Sequence, residues 1–469
     1  MKLFYKTIIA IILYALLAIP DSINILPLQN LDDVSATSKW WSLYAQNLVK
    51  FRITNSQNHI NQYNKHKDLL DKHLNVLELQ LSDPNSPLLD SIQYHINKLS
   101  VLTSLIPEKI NEFESDLSKW RQLIKYQSKF WNTSSKNTKT KLYQLITESR
   151  LAMQSALIQT NHQPSSWASP VFNNDLEAVQ IKNINFKSGD IIVFNLIYEK
   201  ELPLRLIRNL PNAYKHLGSV YINNSEALLT YIDYKKGLQS VPLGMLLKEI
   251  APNGIVLRLR NDIPEIINNP NLPYLTATVI KNMAETGTYK YDYNYDSDTK
   301  SNLYDWELFY NVYKTFDLEL NLQKLESNPF LYTSNLKESH TEPYELEFDY
   351  NFNVVGEWYD PKFLYDDRII TAATSITLSN NISHYYNPLL LPLYRIVKFY
   401  SFIANHFTSN IPIPAGVSAQ TQLVNNIIKT QQNKVIKKLK SELALYELNQ
   451  NHKATFLKIL QAAKEVKDE

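Results

Sequence analysis

The chain has 469 residues, of which 44% are hydrophobic and 20% are charged, a globular composition that argues against wholesale disorder. Its 48 basic and 46 acidic residues give a formal net charge of +2, which offers no electrostatic footprint for a nucleic-acid partner. The absence of cysteine excludes disulfides, thiolate metal sites and a thiol nucleophile. The length exceeds what one hydrophobic core usually serves, so we expect two or three domains.

Residues 1–22 have the pattern of an export signal. Two lysines precede an uncharged apolar run, residues 7–19, which ends at Pro20 and Asp21. A run of about 13 residues is short for a membrane span and typical of the core of a signal peptide. Leu16-Leu17-Ala18 is the nearest approach to a cleavage site, so a cleaved signal peptide and an uncleaved anchor both stay open, with a buried helix as the further alternative. We therefore expect an exported protein, periplasmic or anchored to the membrane through this segment.

Residues 38–160 predict a bundle of three or four antiparallel helices. No glycine precedes Gly189, and glycine is costly inside helices. Two rows of apolar residues recur at helical spacing and so fall on one stripe of a helix each. The rows are Leu70, Leu74, Leu77 and Leu81, and Phe113, Leu117, Trp120 and Ile124.

A histidine row also falls on one helical face, at His59, His66 and His73. Successive members lie about 10 Å apart along a helix axis, which is too far for one metal ion. We therefore interpret the row as a solvated or boundary stripe.

A linker, residues 161–174, separates this bundle from an α+β domain, residues 175–408, for which we expect a small antiparallel sheet. Strand patterns cover residues 190–197, 217–222, 228–233 and 255–259, with an edge strand at 345–350. Helical patterns cover residues 202–217, 243–250 and 303–316, and Asp360-Pro361 starts another helix.

Two helical segments complete the chain. Residues 389–407 form an apolar, aromatic helix that suits either the core or a membrane surface, and we expect core packing. After a second linker, residues 410–416, a C-terminal segment at 418–469 reads as one long helix or a hairpin with a lysine-rich outer face. It is either a coiled-coil partner surface or a cover for the N-terminal helices, and we favour the cover because both segments carry apolar stripes.

Four short patches in the middle domain carry the chemistry. They are Ser188-Gly189-Asp190-Ile191-Ile192, His216-Leu217-Gly218, a strand ending at Asp233 before Val241-Pro242-Leu243, and Tyr304-Asp305-Trp306-Glu307-Leu308. In this order they resemble the permuted papain-like amidases of the YiiX/YebB type, an NlpC-like class of cysteine hydrolases. The resemblance runs over residues 187–316, roughly a quarter of the chain.

The resemblance implies a role for each matching residue. His216 stands where the family has its general base, and Asp233 stands where a polar residue orients that base, with Tyr231 as the alternative. Asp305 occupies the position of the nucleophilic cysteine at a helix start, and Trp306 that of the serine after it. Further residues of these patches would line the pocket at this site: Asp190, Tyr231, Tyr304 and Trp306. The resemblance implies no metal and no cofactor.

The exchange of cysteine for Asp305 changes the chemistry. A carboxylate that attacks an amide or ester must form an anhydride, so Asp305 is a poor acyl-transfer nucleophile. An ion pair with His216 at a helix N-terminus is still favourable. Three readings follow: a degenerate site with a structural ion pair, a pocket for a peptide, glycan or lipid headgroup, and new chemistry with Asp305, His216 and Asp233 as metal ligands or acid/base groups.

The sequence as a whole favours an exported cell-envelope protein with a degenerate, non-catalytic permuted papain-like domain. Such a protein would bind a peptidoglycan peptide, a lipid, or a protein partner through its helical segments. Two alternatives stay open: a hydrolase of amide or ester bonds with altered chemistry at Asp305 and His216, and a helical structural or assembly protein.

Overall fold

The computed structural model describes ten stretches of the chain, and within them the protein is α+β, as expected. These stretches are residues 13–19, 35–160, 165–168, 178–197, 214–234, 236–292, 302–320, 343–379, 387–404 and 418–468. The predicted second linker, residues 410–416, lies outside them. No helix among the described residues is long and apolar enough to cross a bilayer.

Residues 35–160 form five helices, one or two more than predicted. They are α1 (Ser35–Arg52), α2 (Ser56–Leu79), α3 (Pro87–Thr103), α4 (Ile110–Ser128) and α5 (Lys136–Thr160). Local chemistry sets the boundaries, since the Asn55 side chain accepts the Asn58 amide at the start of α2 and Pro87 follows the Ser86 cap of α3. The predicted apolar rows are buried except for Leu81, which lies beyond the end of α2 and is 59% exposed.

The histidine row is not a solvated stripe. His59 and His66 are buried, and only His73 lies at the boundary. The Nδ1 atoms of His66 and His95 lie 3.0 Å apart across α2 and α3, and the rings of His73 and His95 are 5.4 Å apart. The helical spacing is correct, but α3 covers the face that was expected to meet water.

A seven-stranded antiparallel sheet forms the middle of the molecule, in the order β1-β11-β8-β4-β5-β6-β7. Its strands are β1 (Ser165–Ala168), β4 (Ile191–Asn195), β5 (His216–Asn223), β6 (Glu226–Asp233), β7 (Gly237–Pro242), β8 (Asn253–Leu259) and β11 (Phe352–Tyr359). Two small ladders accompany it: β2 (Ala178–Ile181) with β3 (Ile184–Lys187), and β9 (Lys290–Tyr291) with β10 (Asn302–Leu303).

The four strands predicted within residues 190–259 are confirmed as β4, β5, β6 and β8. The predicted first linker is not wholly irregular, because β1 lies within it and pairs with β11. A helix was expected over residues 202–217. Residues 202–213 lie outside the described part, and the helix is wrong at its end, where His216 begins β5.

The edge strand expected at residues 345–350 is also wrong. Pro343–Phe348 is instead a 3₁₀ helix, and all six of its residues are buried. The alternation of acidic and apolar residues suggested one wet face. Arg150 binds the Glu347 carboxylate at 2.7 Å and Lys125 donates to the Glu347 carbonyl at 2.5 Å, so the acidic positions turn inwards as well.

Most of the other helices lie where the sequence predicts them, but two, Pro264–Asn268 and Leu272–Thr286, were not predicted. The other helices are α6 (Leu243–Met245), continued by a π-helical turn (Leu246–Ile250), α7 (Pro264–Asn268), α8 (Leu272–Thr286), α9 (Asp305–Lys314), α10 (Pro361–Ser379), α11 (Leu391–Ala404), α12 (Ala419–Gln450) and α13 (Phe456–Asp468). As predicted, α10 starts at Pro361, and the Asp360 side chain caps it by accepting the amides of Lys362 and Phe363.

The C-terminal segment folds back on the N-terminal helices, as favoured from the sequence. The ring of Phe456 lies 4.9 Å from that of Trp41, and Gln159 donates to the carbonyl of Lys453 at 3.0 Å. Core packing, expected for residues 389–407, is wrong for residues 389–404, and residues 405–407 lie outside the described part. Helix α11 leaves most of its apolar side chains exposed, with Phe399 67% and Phe402 66% accessible.

The sheet buries both of its faces. Val193 and Leu217 belong to the large core that the helices share, whereas Phe194, Tyr231 and Trp358 belong to a second core on the opposite face. This alternation is what period-2 side-chain geometry requires of a strand covered on both sides.

Candidate functional site

The first patch builds a tight turn into β4. Gly189 has a φ of +87°, and a Cβ atom there would lie 2.3 Å from Cβ of Pro273, so the position requires glycine. The buried Asp190 carboxylate accepts the Lys187 amide at 2.8 Å and two bonds from Arg258 at 2.7 and 2.8 Å. Asp190 therefore stabilises the turn and the buried Arg258 side chain at the start of β4, at the opposite end of the strand from Phe194.

The second patch places an imidazole at the start of β5. His216 pairs with Phe194 of β4 and has no exposure to solvent. Three aromatic rings surround it, with centroids at 4.6 Å for Tyr234, 5.4 Å for Phe194 and 6.2 Å for Tyr231. The resemblance implies a cleft at this position, but here the imidazole is enclosed by aromatic side chains.

The last patch brings a carboxylate to that imidazole. Asp305 is the first residue of α9, and its Oδ1 atom lies 3.6 Å from Nδ1 of His216. The same oxygen accepts the amide of Leu217 at 3.0 Å. A helix N-terminus stabilises negative charge, and Asp305 is only 2% exposed. The buried Asp305 carboxylate thus contacts two residues at the start of β5, Leu217 and His216, which lie 88 and 89 positions before it in the chain.

Strand β6 carries the two candidates for orienting the base. Gly218 pairs with Tyr231, so the same register continued by two residues sets Asp233 in line with His216. The Tyr231 hydroxyl accepts from Gln239 at 2.8 Å. Asp233 accepts the Lys236 amide at 2.9 Å and so also closes the turn into β7.

Tyr304 and Trp306 flank the carboxylate on α9. Trp306 is 7% exposed and belongs to the large core, and the partly buried Tyr304 packs against that core. Burial raises the pKa of Tyr304 to about 12, and the nearby carboxylates of Glu307 and Asp292 add to this. The phenol is therefore neutral at ordinary pH and suits hydrogen bonding rather than proton abstraction.

The arrangement can hold a buried imidazole–carboxylate pair anchored to the backbone. It offers no sulfur or hydroxyl at the position of attack, and the oxygen that faces the imidazole already accepts an amide. No cluster of three or more His, Asp or Glu residues suited to a metal ion occurs among the described residues. The geometry therefore favours a positioned, non-nucleophilic pair.

Sequence reasoning missed a second group of buried charges, between the helices and the sheet. Arg121 of α4 is paired with Glu357 of β11, and Arg150 of α5 with Glu347, with every side chain at most 3% exposed. Burial lowers the pKa of the neighbouring Lys125 to about 8, although Asp349 and Glu347 oppose the shift. Arg121 and Glu357 are 236 positions apart, and Arg150 and Glu347 are 197 apart. No local sequence pattern can therefore predict either pair.

Comparison of the chain with family models, with curated proteins and with solved structures yields no match.

Proposed function

We propose that this protein is a degenerate, non-catalytic permuted papain-like hydrolase of the cell envelope that binds an envelope component or a protein partner. The observation that carries the proposal is the 3.6 Å approach of His216 Nδ1 to Asp305 Oδ1 at the first residue of a helix. That is the relationship the resemblance requires of base and nucleophile, with a carboxylate in place of a thiol. The export pattern of residues 1–22 supports the envelope location.

Three further features support the proposal. The Gly189 turn leads into an antiparallel strand, the histidine begins the neighbouring strand, and Asp305 begins the helix that contacts this strand. A helix N-terminus is where a thiolate would gain stability in an active relative. The local architecture therefore fits an ancestral acyl-transfer site better than an arbitrary buried ion pair.

Loss of catalysis follows from the chemistry of the pair. Attack by the Asp305 carboxylate would produce an anhydride, which is higher in energy than the amide or ester substrate. His216 is fully buried, so a substrate carbonyl reaches it only after the surrounding rings move. Binding of a peptidoglycan peptide or a lipid is accordingly proposed without turnover.

The test measures turnover and binding in parallel. Purified protein is incubated with peptidoglycan fragments, amides and lipid esters, with and without divalent cations, and compared with His216→Ala. We expect no turnover that depends on His216, together with retention of the protein on peptidoglycan or lipid vesicles. Hydrolysis that His216→Ala abolishes would refute the non-catalytic assignment and favour altered chemistry. Failure to bind either peptidoglycan or lipid would leave a protein partner as the ligand. Crosslinking in the envelope fraction would then identify that partner.

A further inference from the structure

Within the described part of the chain, helix α11 packs against α12 along one narrow stripe. Leu391 packs with Ala419 and Leu423 of α12, and the Tyr394 hydroxyl accepts from Asn426 at 2.8 Å. Ser401, about two helical turns beyond Tyr394, is also buried. The three positions on α11 follow helical spacing, so the opposite side of the helix faces outwards.

The outward side of α11 is apolar throughout. Its exposed residues are Leu393 (53%), Ile396 (58%), Val397 (37%), Phe399 (67%), Tyr400 (60%), Phe402 (66%) and Ile403 (48%). A helix that meets water normally presents polar residues there. On α11 the polar residues Arg395, Lys398 and Ser401 are half-buried or buried instead. Contiguous exposed apolar area of this kind marks an interaction surface.

A second apolar segment lies beside this helix. Arg395 donates to the carbonyls of Leu17 at 3.0 Å and Ile19 at 2.8 Å, and the Tyr14 hydroxyl donates to the carbonyl of Leu389. The guanidinium thus satisfies carbonyls at the end of segment 13–19. Within that segment Leu13, Leu16 and Ile19 are each more than half exposed, so they extend the apolar surface.

The neighbouring helix supplies positive charge. Helix α12 exposes Lys429, Lys434, Lys437 and Lys438, and the sequence has no acidic residue between positions 419 and 441. Clustered lysines beside an apolar face attract anionic lipid headgroups. A second copy of the chain would bring the same lysines and be repelled, so charge favours a bilayer over self-association.

We propose that α11 and segment 13–19 together lie in the interface of an anionic lipid bilayer. The 14 residues of α11 extend about 21 Å, too short to span a hydrocarbon core of about 30 Å, so the helix lies in the plane of the surface. Phe399 and Phe402 enter the boundary between headgroups and acyl chains, while the exposed lysines of α12 meet the headgroups. This surface involves none of the residues of the His216 site, so failure of one proposal is distinguishable from failure of the other. Segment 13–19 is shared with the export pattern of residues 1–22, and the variants below that test the surface therefore change α11 alone.

The first test is flotation of the full-length chain with phosphatidylcholine vesicles, with and without phosphatidylglycerol. We expect binding to the anionic vesicles that weakens with salt. The double variant Phe399→Ser/Phe402→Ser should lose about tenfold or more of that affinity, because two apolar side chains no longer enter the bilayer. The matched control Leu445→Ser/Leu448→Ser removes two leucines of α12 that are 64% and 80% exposed and should bind as the parent does.

The second test uses the absence of native cysteine. Single variants Phe399→Cys and Leu448→Cys carry an environment-sensitive fluorophore, and lipids with a spin label on the acyl chain act as quenchers. We expect a blue shift and quenching at position 399 only. Absent vesicle binding, or unchanged binding by the double serine variant, overturns the proposal. Concentration-dependent dimers that the double variant abolishes, without vesicle binding, would assign the surface to a second copy.

Discussion

The carboxylate of Asp305 stands between a side chain and a backbone group of the same strand, 3.6 Å from Nδ1 of His216 and 3.0 Å from the amide nitrogen of Leu217. It therefore holds the start of α9 against the start of β5, and this contact stabilises the fold whether or not any chemistry remains at the site.

Removal of that carboxylate should be costly. We expect Asp305→Ala to lower the free energy of unfolding by about 1–3 kcal/mol, because the buried Leu217 amide loses its acceptor. Asp305→Asn keeps an oxygen at the position and should lose less. Urea denaturation of the three proteins measures the difference, and an alanine variant as stable as the parent would show that the contact contributes nothing.

The Gly189 turn gives a matched pair of glycine variants. Gly189→Ala should destabilise the protein by about 2 kcal/mol or more, because φ is positive and the new methyl group meets Pro273. Gly244→Ala is the control, since nothing lies within 4 Å of its Cβ position and alanine favours its helix. Equal thermal midpoints for the two variants would contradict the described turn.

The buried pair of Arg150 and Glu347 should be sensitive to loss of one partner. Arg150→Met leaves the Glu347 carboxylate buried without its cation, so we expect a loss of about 3–5 kcal/mol. Lys281→Met breaks an exposed pair with Glu285 on one helix and should cost about 0.5 kcal/mol or less. Chemical denaturation compares them, and similar losses for both would argue against burial of the first pair.

The free energy of unfolding should fall in mild acid, because the buried imidazoles of His66 and His95 resist protonation in the folded protein. Burial lowers the pKa of both imidazoles to about 4, below the ordinary value of about 6.5. Between these values the unfolded chain binds protons that the folded chain does not, so stability present above pH 6.5 is lost as the pH falls towards 4. A double variant His66→Gln/His95→Gln should flatten this part of a plot of thermal midpoint against pH, and an unchanged slope would contradict the assignment.

Local patterns explain why much of the fold was predictable. Leu70, Leu74 and Leu77 are fully buried or nearly so because helical spacing alone puts them on one stripe. Leu81 has the same spacing but is exposed, because the helix ends at Leu79 and the next residue, Gln80, is already extended. The strands β4 and β5 were predictable from their apolar runs, because both faces of the sheet are buried and both therefore need apolar side chains.

Tertiary contacts account for the failures. The carboxylate of Glu347 points inwards only because Arg150 meets it, and that arginine is 197 positions away. Phe399 and Phe402 have the hydrophobicity of core residues, but they are 67% and 66% exposed. Within the site, the approach of His216 to Asp305 followed from the resemblance, whereas the enclosure of His216 by aromatic rings had no counterpart in the sequence pattern.

The central claim is that Asp305 occupies the position of a nucleophilic thiol, and Asp305→Cys tests it directly. The chain has no other cysteine, so the rate of alkylation by iodoacetamide against pH reports the pKa of this thiol alone. The measurement is made with and without Trp306→Ser, which removes the bulky ring next to position 305, and with and without His216→Ala. We predict a thiol pKa below the ordinary value of about 8.5 that rises when His216 is removed, because the imidazole and the helix N-terminus stabilise the thiolate. A thiol pKa at or above 8.5 that does not respond to His216→Ala would contradict the account.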